Sequence, residues 1–194
     1  AKEGGFQYGQ PQLRKDFDNV CAQAWAALIQ AHQPELLEGN ATGLPVEWLA
    51  EPHILKGGGT ILFAPPGQGK SYTGMLMAVC VDSETNHYWN TARSKVLYIN
   101  LERSADSIRR RLGTVNTALG LDPSRSLLTL NARGKSLADV KDAALRAVEE
   151  QGIELVVLDS ISRAGMGDLT ENRPVNQIAD VLNGLAASWV GIAH

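Results

Sequence analysis

Near-continuous apolar stretches with no water-facing side alternate along this chain with helical patterns. Ile153–Asp159 (IELVVLD) is the clearest, and Thr60–Ala64, Lys95–Leu101 (KVLYINL), Leu127–Leu130 and Trp189–Ala193 are further examples. A strand that is apolar on both faces needs cover on both, which antiparallel sheets with one wet face do not provide. The intervening segments predict helices over 69–82, about 105–119, from Ser136 to about Glu150, and about 174–188. Ser104 is placed as an N-cap with Asp106 in the first turn, and Ser136 with Asp139 resembles a capping box. The expected fold class is therefore α/β, a three-layer αβα arrangement around a mainly parallel sheet. Right-handed crossovers bring all the strand C-termini to one edge. Ala64–Pro66, Leu101–Glu102, Asp159–Ser160 and His194 are expected to meet there.

Ahead of this pattern, residues 1–11 are Gly- and Gln-rich and read as a frayed start. Leu13, Phe17, Val20, Ala24 and Leu28 then recur at helical spacing, predicting one helix from Pro11 to about His32. Gly39, Gly43 and Pro45 mark an irregular link. The reading is an N-terminal arm over 1–45 and an α/β core over 46–194. The core is expected to continue past His194, since the chain stops on an apolar run.

With 194 residues and 44% hydrophobic content, the chain can bury a real core. Its net charge of −3 argues against DNA binding through a broadly basic surface. Cys21 and Cys80 lie far apart, without zinc or redox spacing, and read as two buried thiols of a reducing, cytoplasmic protein. Met75–Val81, the longest apolar run, is too short to span a bilayer, and no signal peptide opens the chain. No membrane partner is expected.

The first apolar strand runs into Ala64-Pro65-Pro66-Gly67-Gln68-Gly69-Lys70-Ser71, with Tyr72 following. This is the Walker A phosphate-loop pattern, with Ala64 in place of the usual first glycine. Gly67 and Gly69 let backbone N–H groups turn inward around phosphate oxygens, and the following helix adds the positive end of its dipole. Residues 64–72 are thus the candidate nucleotide-binding segment. Lys70 is expected at the open surface of the crevice, reaching the β- and γ-phosphates, and Ser71 is expected to ligate Mg²⁺.

Two carboxylates complete the chemistry. Asp159 ends the apolar strand LVVLD and fits an aspartate that holds Mg²⁺ through water. Ser160 follows it, so no adjacent carboxylate serves as a base. Glu102, at the tip of KVLYINLE, supplies one from another strand end, placed to polarise an attacking water.

Together, WLAEPHILKGGGTILFAPPGQGKS, KVLYINLE, ELVVLDSISRA and GIAH resemble the RecA-like ATPases. Within them the chain is most similar to the RepA- and DnaB-type hexameric helicase branch, with its AAA-type plasmid and phage ATPases. The resemblance covers about residues 46–194. It implies ATP and Mg²⁺ as cofactors, Glu102 as catalytic glutamate, and His194 as γ-phosphate sensor. It also implies a homo-oligomeric ring or filament and single-stranded DNA as a candidate partner. Arg163–Val175 falls where the family carries a channel-facing loop, but here that loop is electrically neutral. The arm helix resembles a linker that grips a neighbouring subunit, although a helix folded back on its own sheet has the same stripe. Arg109, Arg110 and Arg111 point three ways on a helix and read as a solvated face. No DNA-binding module is recognisable. Two readings stay open: a motor or recombination ATPase on nucleic acid, and a nucleotide-dependent switch that binds a protein partner.

Overall fold

The computed structural model describes residues 10–31, 34, 36, 39, 43, 45–165 and 172–193. Its elements are α1 (Gln10–Ala31), β1 (Trp48–Glu51), β2 (Ile54–Leu55), β3 (Gly59–Phe63), α2 (Lys70–Ser83), β4 (Asn90–Thr91), β5 (Val96–Asn100), α3 (Ala105–Ala118), β6 (Thr129–Asn131), α4 (Leu137–Gln151), β7 (Leu155–Asp159), α5 (Asn172–Leu185) and β8 (Ser188–Ala193). A short 3₁₀ turn, Ile161–Arg163, follows β7. The chain divides into two compact units, 1–44 and 45–194. In the first, α1 presents Leu13, Phe17, Val20 and Cys21 exposed, so Cys21 is not the buried thiol expected. Cys80, inside the second unit, is buried, and desolvation pushes its thiol up to about 11.

In the second unit, five parallel strands run in the order β3-β8-β7-β5-β6. Alternate residues of the central strands feed two separate cores, as period-two geometry requires. Val96, Tyr98, Leu155, Val157, Val190 and Ile192 pack with α2 and α3 on one face. Leu97, Ile99, Val156, Leu158 and Trp189 pack with α4 and α5 on the other. The expected three-layer α/β fold is therefore the one formed. Ser104 caps α3, accepting a bond from the Ser107 N–H, and Ser136 with Asp139 forms the full capping box of α4.

Two features depart from the sequence reading. A second sheet, three antiparallel strands in the order β2-β1-β4, was not foreseen, and its Leu49, Ala50 and Ile54 join the α2–α3 core. The last helix also ends earlier, at Leu185, with β8 starting at Ser188. Ser188 and Trp189 are drawn into the sheet by residues before β3: the Gly57 N–H donates to Ser188 Oγ (2.9 Å) and the Trp189 N–H to the Gly58 carbonyl (3.1 Å).

That junction explains the three glycines at 57–59. Gly57 takes a φ of +80°, open to glycine at little cost. Gly59 lies opposite Trp189 in register, and a Cβ there would sit 2.2 Å from the indole. The indole itself is pinned, with Nε1–H donating to Asn183 Oδ1 at 2.7 Å. Gly59→Val is expected to displace this rigid ring. Overpacking of about 1–3 kcal/mol corresponds to a fall in melting temperature of about 2–12 °C for a chain of this size. Calorimetry on the variant checks it; an unchanged transition would refute the packing argument.

Candidate functional site

The parallel register delivers the functional side chains to the C-terminal edge of the sheet. β3 ends at Phe63 and leads into the phosphate loop, where Gly67 and Gly69 adopt φ of 81° and 77°. No side chain caps the N-terminus of α2. Its first N–H groups therefore face the loop as an anion site. Gly67 to Tyr72 line a cavity of about 190 Å³ together with Arg103 and Arg111.

Lys70 departs from expectation. It is 7% exposed, not open at the crevice surface, because its ammonium donates back to the carbonyls of Ala64 and, at 2.9 Å, Pro65. The loop's own carbonyls satisfy the charge.

β8 separates β3 from β7, yet Ser71 on α2 reaches across to Asp159: its hydroxyl donates to Oδ1 at 3.2 Å. The other oxygen, Oδ2, accepts from the buried Tyr98 hydroxyl at 2.8 Å. Burial pushes the Asp159 carboxyl up from its ordinary value, and the charge of Glu102 adds to the rise; the bonds from Tyr98 and Ser71 oppose it. Burial also drives the Tyr98 hydroxyl well above its usual range, so it remains a donor. The hard oxygens of Ser71 and Asp159, in hydrogen-bond contact, are of the kind that could hold Mg²⁺.

Glu102 follows β5, next to β7, and the Leu101 N–H donates to the Asp159 carbonyl at 2.8 Å, tying the two strand ends together. Its Oε1 pairs with the Arg103 guanidinium at 3.1 Å. The turn carrying both is shaped by Asn100, fully buried at the end of β5. Asn100 Oδ1 accepts from the Glu102 and Arg103 N–H groups (3.3 and 2.9 Å). Its Nδ2 donates to the Arg103 carbonyl and to Asn131 Oδ1 (2.7 and 3.1 Å). Three of the four expected strand ends thus converge; His194 lies outside the described residues, as does 166–171 of the expected channel loop.

Arg111, like Tyr98 and Asn100, is a group that the sequence reading missed. Arg109 pairs with Asp106 and Arg110 is exposed, as a solvated face requires. Arg111 instead turns inward over the Tyr72 ring, 5.0 Å from its centroid, and its charge acts on Asp159. Its Nη1 is buried without a partner among the described residues. An unmet buried cation beside a phosphate loop suits a phosphate ligand.

A phosphate loop after a parallel strand, a carboxylate one strand removed and a glutamate on the next define a P-loop nucleotide-binding domain. The sequence profile described as the AAA domain matches residues 26–191, so the chain belongs to that family of P-loop ATPases. No curated protein matches it. No helix among the described residues is long and apolar enough to cross a membrane.

Two outcomes follow. Lys70→Ala should remove nucleotide binding in a fluorescent-analogue titration. It should also lower the melting temperature of the nucleotide-free protein by about 3–12 °C, since hydrogen bonds to a charged group are worth about 1.5–3 kcal/mol. An unchanged melting temperature would return Lys70 to the open surface. For Asp159, the folded carboxyl holds its proton to higher pH than the unfolded chain, so its ionised form costs stability above that pKa. Asp159→Asn should therefore melt higher than wild type at neutral pH. The gain should shrink as pH falls through the raised value and vanish below about 3.9. A gain independent of pH would show another cause.

Proposed function

We propose that this chain binds and hydrolyses ATP as a RecA-like motor or recombination-type ATPase of the RepA- and DnaB-type branch, acting on nucleic acid. Residues 46–194 form its ATPase core and 1–45 its arm. The observation that carries the reading is the split carboxylate pair: Asp159 is engaged by Ser71 and Tyr98, while Glu102 stands on the adjacent strand end.

In this reading the triphosphate lies along residues 64–72, with its β- and γ-oxygens on the loop N–H groups. Lys70 exchanges the Ala64 and Pro65 carbonyls for phosphate oxygens, and Arg111 adds a second cation. Ser71 and Asp159 would hold Mg²⁺, which would supply charge neutralisation for the phosphates. Glu102 orients a water in line with the γ-phosphorus and takes up its proton as the bond to phosphorus forms. The bond from the γ-phosphorus to the bridging oxygen breaks, leaving ADP and inorganic phosphate. Asn100 fixes the backbone from which Glu102 projects. His194, one residue beyond β8, keeps its proposed role as γ-phosphate sensor. Assembly into a homo-oligomeric ring or filament belongs to the same reading.

The acidic balance of −3 supports a second reading, a nucleotide-dependent switch for a protein partner. Steady-state ATPase assays with and without single-stranded DNA separate the two. The motor reading expects Glu102→Gln to lower kcat about 100-fold or more, as for loss of a general base, while the nucleotide Kd changes little. It also expects DNA to stimulate the wild type. Wild-type turnover in Glu102→Gln would remove the base assignment; absent stimulation would favour the switch.

A further inference from the structure

Asparagine is poorly suited to strands, yet β5 and β6 both end on one, in the runs YIN and TLN. The parallel register sets Asn131 opposite Asn100, and Asn100 opposite Asp159, so three polar residues share the last rung of the sheet. Asn100 is fully buried, whereas Asn131 is exposed. A carboxamide carries two N–H groups and an oxygen with two lone pairs, and Asn100 uses all four. Its oxygen accepts from the Glu102 and Arg103 N–H groups, which fixes the way the amide faces. Its nitrogen donates to the Arg103 carbonyl and to Asn131 Oδ1. Aspartate at 100 would lose both donations.

The main chain leading to Glu102 is gripped from both neighbouring strands. Toward β7, the Leu101 N–H donates to the Asp159 carbonyl at 2.8 Å. From the end of β6, the Ala132 N–H donates to the Asn100 carbonyl (2.8 Å) and the Gly134 N–H to the Leu101 carbonyl (3.4 Å). These backbone bonds stop at Leu101. Beyond it, the Asn100 side chain holds the turn at residues 102 and 103. Three of its four bonds go to that turn itself and move with it. The fourth, to Asn131, ties the amide to a different strand.

We infer that Asn131 is a positioning residue for hydrolysis: acting through Asn100, it sets the turn that carries Glu102 and hence the water that Glu102 orients. This rests on Glu102 being the hydrolytic base. Such chemistry tolerates little displacement, since a shift of about 1 Å can cost a factor of about 100 in rate. A turn released from its anchor on β6 therefore loses kcat. Nucleotide affinity is governed by the phosphate loop after β3, three strands from β5 in the sheet order, and is left nearly intact.

The test combines steady-state ATPase kinetics on the full chain, Kd from a fluorescent nucleotide analogue, and amide hydrogen exchange. Asn131→Leu keeps the branched shape and removes the acceptor. It should lower kcat about tenfold and leave Kd within about twofold. Asn131→Asp keeps an acceptor oxygen in place and should retain kcat to within about threefold. In the nucleotide-free protein, exchange at the Glu102 and Arg103 amides should quicken about tenfold in Asn131→Leu and not in Asn131→Asp. Adding Asn131→Leu to Glu102→Gln should cost no more than Glu102→Gln alone, because both act through one carboxylate. Wild-type kcat or unchanged exchange in Asn131→Leu would overturn the inference. So would an equal loss in Asn131→Asp, or a Kd that rises in step with the fall in kcat, the mark of a general structural defect. A further tenfold loss in the double variant would also overturn it, by placing the effect of Asn131 elsewhere, and would leave the base assignment standing. Wild-type turnover in Glu102→Gln would remove the base assignment and this inference with it.

Discussion

The buried carboxylate of Asp159 is the constraint around which this site is organised. A carboxyl at 0% exposure needs partners, and each one fixes an element. Tyr98 holds Oδ2 from within β5, and Ser71 reaches Oδ1 from the first turn of α2. Two strands and a helix are thereby set in one geometry, with the phosphate loop between them. Burying this carboxyl costs stability, as functional sites commonly do.

Much of the fold was legible because its signals are local. The strands β5, β7 and β8 are apolar on both faces, and only a sheet covered by helices on both sides accommodates that. The caps at Ser104 and Ser136 depend on side chains three residues apart, and the phosphate loop on backbone freedom at Gly67 and Gly69. The small antiparallel sheet was not legible: β2 and β4 have two residues each, too short for any periodicity to emerge. Their pairing is decided by Ile54 and Leu49 joining the α2–α3 core.

The site divided in the same way. Lys70, Ser71, Asp159 and Glu102 sit at strand ends or in a motif, so their placement followed from topology. Tyr98 in KVLYINL reads as one more core residue; its role depends on the β5–β7 register, which sets it opposite Val157, two residues before Asp159. Asn100 reads as a polar strand end until its four hydrogen bonds are seen. Arg111 cannot be told from Arg109 and Arg110 by helical periodicity, because what distinguishes it is the Tyr72 ring of another helix.

The inward turn of Lys70 makes nucleotide capture an exchange reaction. An incoming phosphate must replace the Ala64 and Pro65 carbonyls before it gains the ammonium. A di- or triphosphate offers several oxygens to compete with Ala64 and Pro65, whereas a lone inorganic phosphate meets the same opposition with fewer contacts to offset it. The loop's own carbonyls thus set the terms on which an anion is accepted.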